Sequence, residues 1–207
     1  METVGSPPTR LPGDDELGTS AAMTSESFRS FELGPMPLGR PMETVDERLV
    51  RAPVAVIFEL ASKVEQWPAH LPHYRHVRFR ERRLDGGGIV DMSANRPFQI
   101  SAISGVPLRI NWPTWWLSEM AIDPSTPSIR FRHIGGITTG MDVEWSFTPA
   151  PGGTHVRILH LWDGPRIPAL GIWAAMYVIG PVFVHGIASR TLEGLAAVAE
   201  REARNQW

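Results

Sequence analysis

Ala52–Pro68 reads APVAVIFELASKVEQWP, and this stretch decides the fold. Pro53 suits the first position of a helix, where its missing N–H costs nothing. Ile57, Leu60, Ala61 and Val64 then recur at i, i+3, i+4 and i+7, one apolar face of a helix. Trp67-Pro68 should end that helix, because proline clashes with the turn before it and donates no hydrogen bond. A short second helix or turn is expected in AHLPHY, up to Tyr74. Just before the helix, Val45, Glu47 and Leu49 alternate with Thr44, Asp46 and Arg48, the period of an edge-type strand.

Beyond Tyr74 the period becomes two. YRHVRFRERRL, GIVDMSANR, PTWWLSEMAID, SIRFRHIG, GMDVEWSFTPA and THVRILHLWD all read as strands. Short breaks rich in Gly and Pro separate most of them, which points to an antiparallel meander. Residues 97–107 leave both strand and loop open. The chain then ends in a long helical pattern. Val184, Ile187, Ala188, Thr191, Leu192, Leu195 and Val198 form its stripe, and Glu193, Glu200, Arg201 and Glu202 mark its wet side.

The order is therefore strand, two short helices, six strands and one long helix. The fold class is α+β: a curved antiparallel sheet of about seven strands around a long C-terminal helix. A cavity between sheet and helix is the natural place for an apolar ligand. WPAHLPHY, residues 67–74, packs an indole, two imidazoles and a phenol at a bend and is expected to form one of its walls.

The rest of the composition narrows the function. The 207 residues carry a net charge of −2 and a pI near 6.4, which argues against a nucleic-acid partner. There is no cysteine, so disulfides, thiolate metal sites and a cysteine nucleophile are excluded. METVGSPPTRLPGDDELG lacks a basic start and an apolar run, so no secretory leader is expected and the expected compartment is the cytoplasm. Residues 1–41 hold sixteen Pro, Gly or Ser and no lasting period, and are expected to be a disordered tail before a domain at 42–207. Residues 167–184 carry no charge, but Pro168, Gly171, Gly180 and Pro181 interrupt them, so a buried segment is expected rather than a membrane span.

His70, His73 and His76 invite a metal reading, yet Pro72 breaks the spacing and no HExxH follows, so no metal is expected. The glycines at 86–88 lack the lysine of a phosphate loop and read as a hairpin turn.

The motifs APVAVIFELASKVEQWP, LPHYRHV, WWLSEM, GMDVEW and PGGTHVRI resemble those of the START-like (SRPBCC, Bet v 1-like) polyketide cyclase/dehydrase superfamily. The likeness spans roughly residues 43–203 and implies the helix-grip fold. It implies a cofactor-free enzyme of secondary metabolism that promotes aldol-type cyclisation and dehydration of an oxygenated hydrophobic chain. The same fold serves non-catalytic carriers of quinones or lipids, and that alternative stays open. Tyr74 matches a family tyrosine after the second helix. Trp116-Leu117-Ser118-Glu119-Met120 is similar to the family's W-x-S-x-R strand, with Met120 where the family has Arg. Met141-Asp142-Val143-Glu144-Trp145 is similar to its M-N-x-x-W strand.

Strand alternation gives the side chains that share a face. Trp116, Ser118, Met120 and Ile122 go together; so do Val90, Met92, Ala94 and Arg96; Ile129, Phe131 and His133; Met141, Val143, Trp145 and Phe147; and Val156, Ile158, His160 and Trp162. The candidate catalytic residues are Tyr74, Ser118, His133, His160 and Arg96. His, with an ordinary pKa near 6.5, suits proton transfer at neutral pH, and Tyr, near 10, can donate to a developing alkoxide. Arg96 could replace the missing strand arginine. The candidate ligand wall is Trp67, Trp116, Met120, Phe131, Met141, Trp145 and Ile158. The expected partner is a small hydrophobic ligand or polyketide.

Overall fold

The computed structural model describes residues 33–101, 107–165 and 184–205, with 96–101 and 107–112 as backbone only. Strand β1 runs Met42–Val50, and Pro53 then caps helix α1, Val54–Ser62. Three β-branched residues in α1 are no strong helix formers, so the helix relies on packing of its apolar side. Ile57, Leu60 and Ala61 are the residues it buries. The helix stops where the Lys63 N–H returns to Glu59 O at 3.1 Å, and a 3-10 turn follows over Val64–Gln66.

Helix α2 is only four residues, Trp67–His70. It starts earlier than expected. Pro68 lies inside its first turn, where no backbone donor is needed, so Trp67-Pro68 opens the second helix instead of closing the first. The Trp67 indole N–H donates to Leu60 O at 3.2 Å and ties the two helices together.

The remaining strands are β2 Tyr74–Arg82, β3 Gly88–Ser101, β4 Pro107–Asp123, β5 Ser128–Gly136, β6 Asp142–Ala150 and β7 Gly153–Trp162. They form one antiparallel, curved sheet in the order β1-β7-β6-β5-β4-β3-β2. The segment left open at 97–107 extends the β3–β4 hairpin, which stays paired out to Ser101 and Pro107. The inner faces follow the alternation: Val90, Met92 and Ala94, then Trp116, Ser118 and Met120, then Ile129 and Phe131 are all buried.

Helix α3, His185–Asn205, lies against that inner face. It buries Ala188, Thr191, Leu192, Leu195, Ala196 and Ala199, and each large apolar side chain removed from water contributes about 2 kcal/mol. The fit is close: a Cβ at Gly194 would come within 2.2 Å of Leu71 Cδ2.

On the outer face, Asp91 is buried under its neighbours. Its carboxylate takes hydrogen bonds from Arg80 at 2.6 and 3.0 Å and from the Trp115 indole at 2.8 Å, with His76 Nε2 at 3.1 Å. Burial raises the Asp91 pKa, but these hydrogen bonds outweigh it and hold the carboxyl down at about 2. Residues 33–41, placed in the tail by sequence, lie against the sheet: Leu33 is buried, and Arg132 and Arg130 donate to the Leu33 and Gly34 carbonyls, each at 3.0 Å. Residues 1–32 and the uncharged stretch 167–183 lie outside the described residues. Among those described, no helix is long and apolar enough to cross a membrane.

Candidate functional site

A cavity opens between the inner face of the sheet and α3. The free space there, open solvent at the mouth included, is about 710 Å³. Its position follows from the fold: β2 through β7 curve on one side, α2 brings in Trp67, and α3 closes the other side with Ile187, Ala188 and Thr191.

Aromatic rings build the wall in a connected series. Trp67 meets Tyr74 edge to face, with ring centroids 5.3 Å apart, and meets Trp145 at 5.7 Å. Tyr74 lies 6.3 Å from Trp116, which stacks on His133 at 5.9 Å with 19° between the planes. Ring contacts of this kind hold side chains in place beyond the effect of simple burial. Phe131, Met141 and Val143 complete the apolar lining, and Trp115 and Ile137 stand partly exposed at the mouth.

Few polar atoms interrupt that wall. The Thr191 hydroxyl donates to Ile187 O at 2.8 Å, so its oxygen is left to accept from the Tyr74 hydroxyl at 3.1 Å. His73 Nε2 reaches the same oxygen at 3.1 Å. Burial pushes the Tyr74 phenol well above its ordinary value. His133 Nδ1 lies 2.7 Å from the Thr138 hydroxyl. Burial pushes His133 down to about 3, and burial, reinforced by His133 and His185, does the same to His160. His160 Nδ1 is buried with no hydrogen-bond partner among the described residues.

Burial thus moves both imidazoles below their ordinary value near 6.5 and the phenol above its ordinary value near 10, so each favours its neutral form, because loss of water disfavours charge.

The structure brings Tyr74, His133 and His160 to one cavity, together with Trp67, Trp116, Phe131, Met141 and Trp145. Ser118, Met120 and Ile158 face the same interior but are fully buried and lie outside the cavity lining. The Ser118 hydroxyl oxygen has no partner among the described residues. The Arg96 side chain lies outside the described residues. His73 and His76 diverge, one to Thr191 and one to Asp91, and no group of three His, Asp or Glu among the described residues is placed to hold a metal ion.

Two polar contacts were missed from the sequence. Thr191 carried a signal, as a hydroxyl on the apolar stripe of the last helix. Thr138 carried none, since it sits in a turn between two strands.

Comparison with known proteins agrees with the architecture. Residues 50–177, more than half of the chain, match the family described as polyketide cyclase / dehydrase and lipid transport. Among solved structures, the Zhui aromatase/cyclase from Streptomyces sp. R1128 superposes with a TM-score of 0.61 at 17% identity, covering 78% of this chain and 94% of that one. A protein from Thermus thermophilus gives 0.59 at 18% identity, covering 78% of this chain and 99% of its own. A START superfamily protein from Mycobacterium smegmatis gives 0.52 at 17% identity, covering 82% and 100%. At such identities the likeness is one of fold. No curated protein sequence matches the chain. With residues 50–177 matched on a seven-stranded sheet gripping a long C-terminal helix, the chain belongs to the polyketide cyclase/dehydrase and lipid transport family.

Proposed function

We propose that the protein binds a hydrophobic, oxygen-bearing small molecule in this cavity, of the polyketide or quinone kind, and holds it through neutral contacts. The observation that carries this is the wall itself, a connected series of rings at Trp67, Tyr74, Trp145, Trp116 and His133 interrupted by few polar atoms. Burial favours the uncharged forms of its polar groups, Tyr74, His133 and His160. Effective acid–base catalysis wants a pKa near the working pH. Met120, buried outside the cavity lining, stands where the resembled family has an arginine, so that position offers no charge-assisted hold on an enolate.

A second reading, aldol-type cyclisation and dehydration of a bound polyketide, is favoured by the two imidazoles that face one cavity. In that reading neutral imidazole N–H groups polarise a carbonyl, and containment brings the enol carbon to it.

The test is to purify the protein from its own host, extract it with organic solvent and identify the cargo by mass spectrometry. The expected result is a hydrophobic oxygenated molecule that leaves the protein as it entered. A cyclised product made by the wild type, and lost in Tyr74→Phe and His160→Ala variants that still bind, replaces the first reading with the second. A protein that carries no cargo and takes up no hydrophobic molecule sinks both.

A further inference from the structure

Three buried polar atoms on paired strands β1 and β7 lack hydrogen-bond partners among the described residues: Thr44 Oγ1, Asp46 Oδ2 and His160 Nδ1; His160 lines the cavity, and Thr44 and Asp46 lie outside its lining. They belong together. Thr44 is the direct cross-strand partner of His160 in the β1–β7 ladder, and Asp46 pairs with Ile158, the next inward position of β7. Cross-strand partners point to the same face with their Cβ atoms about 5 Å apart. Asp46 is two residues from Thr44 and so shares that face. Both Asp46 and His160 are more than nine-tenths buried.

The chemistry of the group is directional. His185, at the start of α3, places Nδ1 2.7 Å from Asp46 Oδ1. An ionised Asp46 with Oδ1 held by His185 leaves Oδ2 as an acceptor; burial raises the Asp46 carboxyl, and the His185 contact opposes that. Thr44 can donate or accept, and so can a neutral His160. A buried acceptor without a donor is costly, which is why such groups are nearly always satisfied by water or ligand.

We infer that Thr44, Asp46 and His160 form the polar end of the cavity and take a hydroxyl group of the ligand. An alcohol or phenol oxygen there donates its hydrogen to Asp46 Oδ2 and accepts from Thr44 or His160. A ketone, ether or ester oxygen has no hydrogen to offer Asp46 and leaves it orphaned. This rests on the cavity being a binding site for hydrophobic molecules, and it narrows that class to hydroxylated ones. His160 lines the cavity, so it connects the apolar chamber to the Asp46 group.

The experiment titrates the full chain near neutral pH with 1-naphthol and with 1-methoxynaphthalene by calorimetry. The pair shares one ring system and differs in the hydroxyl hydrogen. The wild type is expected to bind 1-naphthol about tenfold or more tightly than the ether, the worth of a hydrogen bond to a charged group. Asp46→Asn should cut that preference to about threefold or less while leaving the ether's affinity in place, and Thr44→Val, which removes a donor that either oxygen can use, should weaken both probes alike. If Asp46→Asn fails to fold, the wild type's own preference between the two probes decides. Equal affinity of the wild type for both probes overturns the inference and leaves the binding cavity standing. So does a preference that survives in folded Asp46→Asn. Failure of the wild type to bind either probe overturns the inference together with the binding reading.

Discussion

The hydroxyl oxygens of Tyr74 and Thr191 lie 3.1 Å apart, joining the first residue of β2 to the second turn of α3 across the cavity. Tyr74 is thus both a piece of wall and a tie between the two halves of the grip. In Tyr74→Phe the ring remains, and Thr191 keeps its bond to the Ile187 carbonyl. The loss should be that of one neutral hydrogen bond, about 1 kcal/mol in urea unfolding. A loss several times larger would show that the tie organises the helix rather than merely adding to it.

Acid should destabilise the fold through its buried imidazoles. His160 and His133 are held at about 3, and His73, by burial and the nearby Arg190 charge, at about 4. All three lie below the unfolded value near 6.5, so the unfolded chain takes up protons first. Stability is therefore full above about pH 6.5 and falls as pH drops toward those values. His160 alone accounts for about 2 kcal/mol at roughly pH 5. Urea midpoints at neutral and acid pH measure the slope, and it should shrink in His160→Leu.

Asp91 should matter although it lies on the outer face. Its carboxyl sits at about 2 in the folded protein, below the ordinary carboxylate value of 3.9. A depressed carboxylate stabilises above the unfolded pKa, and that contribution is lost as pH falls from about 4 through about 2. Asp91→Asn should cost about 2 kcal/mol at neutral pH. Arg78 and Arg80 are more than half exposed and can turn to water, so the variant should still fold. Trp115 loses its anchor in the same change, and its fluorescence should report the loosened outer-face contact.

Gly136 ends β5 with φ of +91°, and a Cβ there would meet the Trp115 carbonyl oxygen at 2.4 Å. Gly136→Ala combines a disfavoured backbone with a clash against main chain that cannot swing aside. It should cost about 2 kcal/mol, lowering Tm by roughly 4–8 °C in a scanning calorimeter. A Tm within a degree of the wild type would contradict the turn geometry at the mouth.

Much of this architecture was legible because it rests on periodicity. Pro53 with Ile57, Leu60, Ala61 and Val64 announces α1, and alternation assigns the inward faces of β4 to β7. What stayed hidden depends on neighbours far along the chain. Thr44 and Asp46 read as the polar side of an edge strand, yet Asp46 is buried while Val45 and Leu49 face water. The reason is α3, whose His185 arrives 139 positions later to sit on Asp46. The acid–base character of His133 and His160 was hidden for a similar reason. Residue type supplies the ordinary pKa, and only the packed cavity removes the water that sustains it.

The strand order has a consequence for how this chain is made. Among the described strands, β1 pairs only with β7, from Met42 against Trp162 to Val50 against Thr154. A ribosome releases β1 roughly a hundred residues before its partner, and at about 5–20 residues per second the wait is many seconds. During that interval the meander β2 to β6 can zip up hairpin by hairpin, while β1 and α1 stay unpaired. Closing the sheet then requires the two ends of the domain to meet, a long-range step that sets a slow folding rate. Truncations that remove β1 should therefore leave a free β7 edge, a surface prone to pairing with other chains.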